Sequence, residues 1–126
     1  ITSSDKRIHV VNASTHFDNA KYHRYYDAVC SFSSIEHDGL GQYGDPINPN
    51  GDFAAMHEFN YVLKEGGLLY LGIPVSKTAS IVGNFQRTYS IERVTAVFNQ
   101  SEFVWLKTIE WHWGNFRPGL GYKDRG

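Results

Sequence analysis

Tyr26-Asp27-Ala28-Val29-Cys30-Ser31-Phe32 and Leu68-Leu69-Tyr70-Leu71-Gly72-Ile73-Pro74 are the stretches on which the fold turns, together with what lies between them. Each is short and apolar on both faces apart from small residues, the pattern of a strand buried inside a parallel sheet. Pro74 closes the second run. From Ser33 to Gly51 the chain holds four of its 12 glycines with Pro46 and Pro49, which predicts a long loop of tight turns. Loops of that length are commonly functional. Asp52 then caps a predicted helix in which Phe53, Met56, Phe59, Val62 and Leu63 follow helical spacing, with Gly66-Gly67 as its left-handed stop. Strand, loop, helix and strand in that order make a right-handed crossover.

Outward from this unit the signals are shorter. Arg7-Ile8-His9-Val10-Val11 is a β-branched run that predicts a strand ending near Asn12. Ser14 to Tyr25 has no clear period, and Phe17, Ala20 and Tyr22 can anchor a short helix or loop. Beyond Pro74, Ser76 to Thr88 predicts a loop, and Ser90 caps a helix carrying Ile91, Val94, Val97 and Phe98 on one side. Glu102 to Glu110 predicts a last strand, and Trp111 to Gly126 an irregular end. No internal repeat or linker interrupts the chain, so one domain or part of one is expected.

Composition narrows the classes. The chain has 126 residues, 41% of them hydrophobic, with 12 Lys plus Arg against 13 Asp plus Glu for a net charge of -1. That is enough apolar side chain for a packed core. Scattered, balanced charge excludes a general nucleic-acid binder, which needs clustered cations, and leaves a small molecule or another protein as partner. Cys30 is the single cysteine, so an internal disulfide and a cysteine-based zinc site drop out. Leu68 to Val75 is far short of the roughly 20 residues that cross a bilayer, and a cytoplasmic location is expected. The chain opens on Ile1 without a charged and apolar leader, which suggests a piece of a longer polypeptide.

The strand Tyr26-Asp27-Ala28-Val29, the Ser-rich turn, the Glu36-His37 pair and Lys64-Glu65-Gly66-Gly67 leading into Leu-Leu-Tyr-Leu resemble the second half of a class I S-adenosylmethionine-dependent methyltransferase. More specifically, the run from Ser31 to Pro46 resembles a domain-of-unknown-function family named after Caenorhabditis within that group. The similarity continues through Asn48-Pro49, Gly51-Asp52, Gly66-Gly67 and Gly72-Ile73-Pro74 to Asn84, Arg87 and Tyr89, covering Tyr26 to about Arg93. Gln42 and Gln86 depart from it, since family members often carry Arg and His there. The resemblance implies an α/β fold, a partial Rossmann-like doubly wound parallel sheet whose first strands and Gly-rich loop are missing. Residues 1–126 would then be the carboxyl-terminal portion of a single methyltransferase-like domain. It implies S-adenosylmethionine as cofactor and a small acceptor, a carbohydrate among the candidates, with this chain alone expected to be inactive. The Ile8 strand would correspond to the family's third, which does not touch the Tyr26 strand in the order 3-2-1-4-5. An unpaired sheet edge would follow, open to self-association or to a partner.

Methyl transfer from a sulfonium is an in-line displacement, so the protein mainly holds donor and acceptor together, with a general base where the acceptor is a hydroxyl. His37 suits that role, with Glu36 and Asp38 beside it to orient the ring. A turn whose polar groups serve only the loop backbone is the plainer reading. By the resemblance, Asn12 and Ala13, with Ser14, contact the adenine, while Ser31 and Ser33 line the lip of the central strand. Asp45, with Asn48 and Asp52, is a candidate for the acceptor, although Asp52 reads better as a cap. Asn84, Arg87 and Tyr89 are candidates to grip an anionic or sugar-like substrate. His9, His16 and His23 recur every seven residues, a spacing unsuited to a metal site. Cys30 reads as an inert core thiol, and Trp111-His112-Trp113 as core or as an aromatic platform. The alternative from another class is a catalytically inert Rossmann-like module that binds a metabolite or a partner protein. A hydrolase using Ser33 or Cys30 lacks a nucleophile elbow.

Overall fold

The structure is a computed structural model that describes residues 2–104, 106–107, 109–112 and 115–118. In chain order its elements are helix α1 (Ala13–Phe17), a 3-10 turn (Ala20–Tyr22), strand β1 (Tyr26–Phe32), helix α2 (Gly51–Val62) and strand β2 (Leu63–Gly72). Then follow β3 (Ser80–Val82), β4 (Gln86–Thr88), α3 (Ile91–Gln100), β5 (Ile109–His112) and β6 (Asn115–Pro118). The chain is a mixed α/β unit. Strands β1 and β2 are adjacent and parallel, and β3–β4 and β5–β6 are separate antiparallel hairpins.

The register of the parallel pair runs from Ala28 opposite Leu68 to Phe32 opposite Gly72, whereas Tyr26 already faces Leu63. Residues 64–67 therefore bulge opposite Asp27, and Lys64 Nζ donates to the Asp27 carboxylate at 2.6 Å. That hydrogen bond and charge hold the Asp27 carboxyl below its ordinary range. Side chains alternate across the strands. Val29, Leu69 and Leu71, with Ile73 beyond β2, pack on a core of Ile35, Phe53, Met56, Phe59, Tyr89, Val94 and Val97. Ala28, Cys30, Phe32, Leu68 and Tyr70 lie on the other face and are exposed.

Helices α2 and α3 are tied by an ion pair. Arg93 Nη2 donates to both oxygens of Asp52, each at 2.9 Å, and its guanidinium lies 4.4 Å from the centre of the Phe53 ring. Asp52 is fully buried. Ser90 caps α3 as the sequence predicts, its hydroxyl accepting from Arg93 N at 3.3 Å. No helix among the described residues is long and apolar enough to cross a membrane.

Several expectations need correction. Arg7 to Val11 forms no strand: Ile8, Val10 and Val11 are more than half exposed, because β propensity without a neighbouring ladder does not make a strand. Asn50, not Asp52, occupies the cap of α2, and Asp52 faces Arg93 from the first turn. The helix stops at Leu63, which is already extended, so Gly66, at φ +74°, turns the bulge rather than the helix end. Cys30 is exposed, since it lies on the uncovered sheet face. Residues 76–88 contain the hairpin β3–β4. Of the strand expected over Glu102 to Glu110, only Ile109 and Glu110 are in β5, while residues 105 and 108 lie outside the described residues. Trp113 and the tail 119–126 also lie outside them.

Candidate functional site

In an open parallel sheet, ligands collect at the carboxyl ends of the strands. At that end of β1 the chain leaves the strand through Ser33, whose φ of +49° lies in the left-handed region that non-glycine residues rarely adopt. Ser33 N remains tied to Gly72 O at 3.0 Å. A turn follows in which Ile35 and Glu36 are buried to 0% and 1% exposure, placing a carboxyl group beneath the rim.

Three groups hold this turn and the loop after it. Arg87, 3% exposed on β4, donates from its backbone to Glu36 O at 2.8 Å. Its guanidinium donates to the carbonyls of Asp38, Asn48 and Pro49, the last two at 3.2 and 3.3 Å. The Asp45 carboxylate accepts from Gly41 N and Tyr43 N, and those backbone bonds keep it below the usual carboxylate range. Glycine enters where backbones meet: a Cβ on Gly51 would strike the Asp38 carbonyl, and one on Gly39, at φ +73°, the Asn48 carbonyl.

His37 is the best-defined polar side chain of the turn. Its Nδ1 lies 2.6 Å from the carbonyl oxygen of Phe85, in the turn between β3 and β4. Its Nε2 lies 3.7 Å from Glu36 Oε1. The ring meets Phe85 edge-on, with centroids 5.4 Å apart. Asp38 is half-buried; desolvation, with the neighbouring Asp45 charge, pushes its carboxyl up despite the opposing field of Arg87. Tyr89 is buried beneath, and desolvation with the Asp52 carboxylate pushes its hydroxyl up.

Four of the buried polar atoms without a partner gather on these elements: Ser31 Oγ, Glu36 Oε2, Arg87 Nε and the Tyr89 hydroxyl. Buried polar atoms are normally satisfied, and of these four residues Glu36 is the one that borders the adjoining groove. Glu36 and Ser33 border a groove that continues along Gly72, Ile73 and Pro74, past Gln86, to Ile91 of α3. Among the described residues, no group of three or more His, Cys, Asp or Glu is placed to hold a metal ion.

The residues singled out from sequence thus fall into distinct places. Ser31, Ser33, Glu36 and His37 come together at the carboxyl rim of β1. Arg87, Tyr89 and Asp45 support the turn from beneath and beside it, with Arg87 engaged by loop carbonyls. Asn84 is exposed in the turn of the β3–β4 hairpin. Asn12 and Ala13 precede or begin α1, whose His16 bonds the Tyr26 hydroxyl at 2.9 Å and whose Phe17 ring packs near Phe59. The helix is therefore anchored at the amino end of β1, opposite Ser31 and Ser33. Two contributors were not legible: the Phe85 carbonyl, a backbone atom with no residue signature, and Arg93, an ordinary surface-like position on a helix.

A family model described as Caenorhabditis protein of unknown function, DUF268, matches residues 3–112. No curated protein and no solved structure shows a significant match.

Proposed function

We propose that this chain, which belongs to the DUF268 family, is the ligand-binding rim of a Rossmann-like, methyltransferase-like domain that binds S-adenosylmethionine and methylates a small acceptor. The supporting observation is the adjacent parallel pair β1 and β2, joined through α2, with a strained Ser33 and a buried Glu36 at the carboxyl end of β1. Ser31 Oγ and Glu36 Oε2, buried and without partners, are fitting groups for the hydroxyl and amino groups of a nucleoside-bearing cofactor or of its acceptor. When bound, S-adenosylmethionine supplies an electrophilic methyl group. The chain's own residues then bind, exclude water and accept a proton: Ser31 and Ser33 hold the ligand edge, and the Glu36–His37 pair takes the proton of an acceptor hydroxyl. Asp45, Asn84, Arg87 and Tyr89 stay candidates for the acceptor side. A carbohydrate is the favoured acceptor.

A second reading, a catalytically inert module that binds a metabolite or partner, has one observation in its favour. His37 Nδ1 is held by the Phe85 carbonyl oxygen at 2.6 Å, so that nitrogen is not open to an acceptor. Calorimetry with S-adenosylmethionine on this chain and on the full natural polypeptide that carries it tests the first reading. Saturable heat from either supports it; no heat from either refutes it. Saturable heat without methyl transfer to any of a panel of sugars would favour the inert module.

A further inference from the structure

We propose that the free edge of β2 is a self-association surface, on which two copies of this chain pair their β2 strands antiparallel about a two-fold axis at Tyr70 and join their sheets into one. This contact is independent of what the rim at the end of β1 binds.

The register of the β1–β2 pair fixes which backbone groups are spare. Ser33 N donates to Gly72 O, so Gly72, and with it Tyr70 and Leu68, turn their N–H and C=O groups toward β1. Those of Leu69 and Leu71 point the opposite way. On that side β2 has no neighbouring strand, and these groups have no hydrogen-bond partner among the described residues. A row of unpaired strand amides is a template for another strand, and chains commonly blunt such an edge with Lys, Pro or a bulge. From Leu68 to Ile73 this edge carries none of the three. Beside it runs the groove, lined there by Ile91 and Phe98 of α3 and by Val104 and Leu106.

The edge complements itself. An axis through Tyr70 sets Leu69 opposite Leu71 of the second copy and Leu71 opposite its Leu69, each pair exchanging both N–H···O bonds. Both ends of the ladder stop together, because Gly66, at φ +74° in the bulge, falls opposite Pro74, which has no N–H. Leu68 falls opposite Gly72. The Phe32 ring already leans over that glycine, since a Cβ there would strike it, so Leu68 of the second copy comes to rest against an exposed ring. Tyr70 meets its own counterpart on the axis, an aromatic cross-strand pair. No like charges are opposed, since Lys64 and Glu65 fall opposite Ser76 and Val75. Leu68, Tyr70, Ile91, Val104 and Leu106 are 42–82% exposed. Covering them removes roughly 400 Å² of apolar surface per copy, taking about 100 Å² for an aliphatic side chain and about 200 Å² for Tyr. With about 65% of a homodimer interface apolar, the two copies together bury about 1,200 Å², the lower end of what a specific dimer needs. Reversible association follows from that size.

Sedimentation equilibrium over a concentration series tests the pairing, with a reductant present so that the exposed Cys30 does not cross-link copies. The protein is expected to dimerise with a Kd on the order of 10–100 μM. Tyr70→Lys and Tyr70→Glu each set like charges against one another on the axis and weaken association at least about tenfold. An equal mixture of the two sets unlike charges there and associates at least about tenfold more tightly than either alone, a recovery expected only of a residue that meets its own counterpart. Amide exchange of the unsubstituted protein is the second measurement and holds even if a variant fails to fold. The Leu69 and Leu71 amides slow as concentration rises, while that of Cys30, on the outer edge of β1, does not. The proposal is overturned by a monomer up to about 1 mM protein, by variants that associate like the parent, by a mixture no tighter than its components, or by slowing at Cys30 in place of Leu69 and Leu71.

Discussion

Replacing Arg87 by Met should loosen the loop after β1 rather than simply remove a surface charge. The guanidinium is buried and bonds three loop carbonyls. Nη1 gives one bond to Asp38 O, and Nη2 is divided between Asn48 O and Pro49 O at 3.2 and 3.3 Å, at the long end of the range. Counting the divided pair as one gives two charge-assisted bonds, each contributing about 1.5 kcal/mol. Against that, Arg87 Nε is buried without a partner, and Met relieves that cost of about 1 kcal/mol. The net expectation is a loss of about 2 kcal/mol, or about 8 °C in Tm for a chain of this size. Urea denaturation measures the first, and hydrogen exchange of residues 38–50 shows where the effect falls. Arg87→Lys keeps the charge but not the fork that reaches three carbonyls, so it should lose more than half as much. Stability within about 0.5 kcal/mol of the parent in Arg87→Met would refute the clamp, as would a loss of stability with unchanged exchange in the loop.

Gly51→Ala drives a Cβ into the Asp38 backbone and should cost about 2–3 kcal/mol, whereas Gly72→Ala meets only the exposed Phe32 ring, which can swing away, and should cost under about 1 kcal/mol; thermal melts compare them. Arg93→Met leaves the Asp52 carboxylate buried without its cation, at a cost of about 3 kcal/mol, and adding Asp52→Asn should recover part of that loss; a double-mutant cycle in urea reads the coupling. Because burial and Asp45 raise the Asp38 carboxyl in the folded chain, the folded state binds that proton more tightly than the unfolded one. Stability is therefore lost as pH rises through the carboxylate range. Asp38→Asn should melt above the parent at pH 7 and with it below about pH 3, where both states are protonated; an unchanged difference across that range would contradict the assignment.

What the sequence disclosed and what it hid divide along the range of the forces involved. Strands β1 and β2, helix α2 and the Ser90 cap of α3 were legible because their signals are local: short apolar runs, helical spacing, a hydroxyl one residue before a helix. Arg7 to Val11 shows the limit of such signals. Its composition favours a strand, but a strand also needs a neighbour to bond, and Ile8, Val10 and Val11 stay exposed without one. Cys30 failed for a related reason. A run apolar on both faces implies two covered faces, and the described structure covers only the one bearing Val29, Leu69 and Leu71. Asp52 looked like a cap because caps are the commonest local use of Asp, and only α3, folded against it, reveals Arg93 as its partner.

The candidate site divides in the same way between membership and role. That Glu36 and His37 lie at the carboxyl rim of β1 could be read from their place just after a predicted strand, where open sheets put their ligand crevices. The direction of the imidazole could not, because it depends on a carbonyl at Phe85, 48 residues away. The same holds for Arg87. A lone Arg in a turn-rich stretch invites an anion-binding role, yet its partners are carbonyls of Asp38, Asn48 and Pro49, brought to it only when the long loop closes. Long-range backbone acceptors carry no residue code, so the carbonyl that orients His37 and the loop that Arg87 holds come into view only in the folded chain. Glu36 shows both sides of this: its place after β1 was legible, but its burial to 1% exposure with Oε2 left without a partner follows only from the folding of the loop over it.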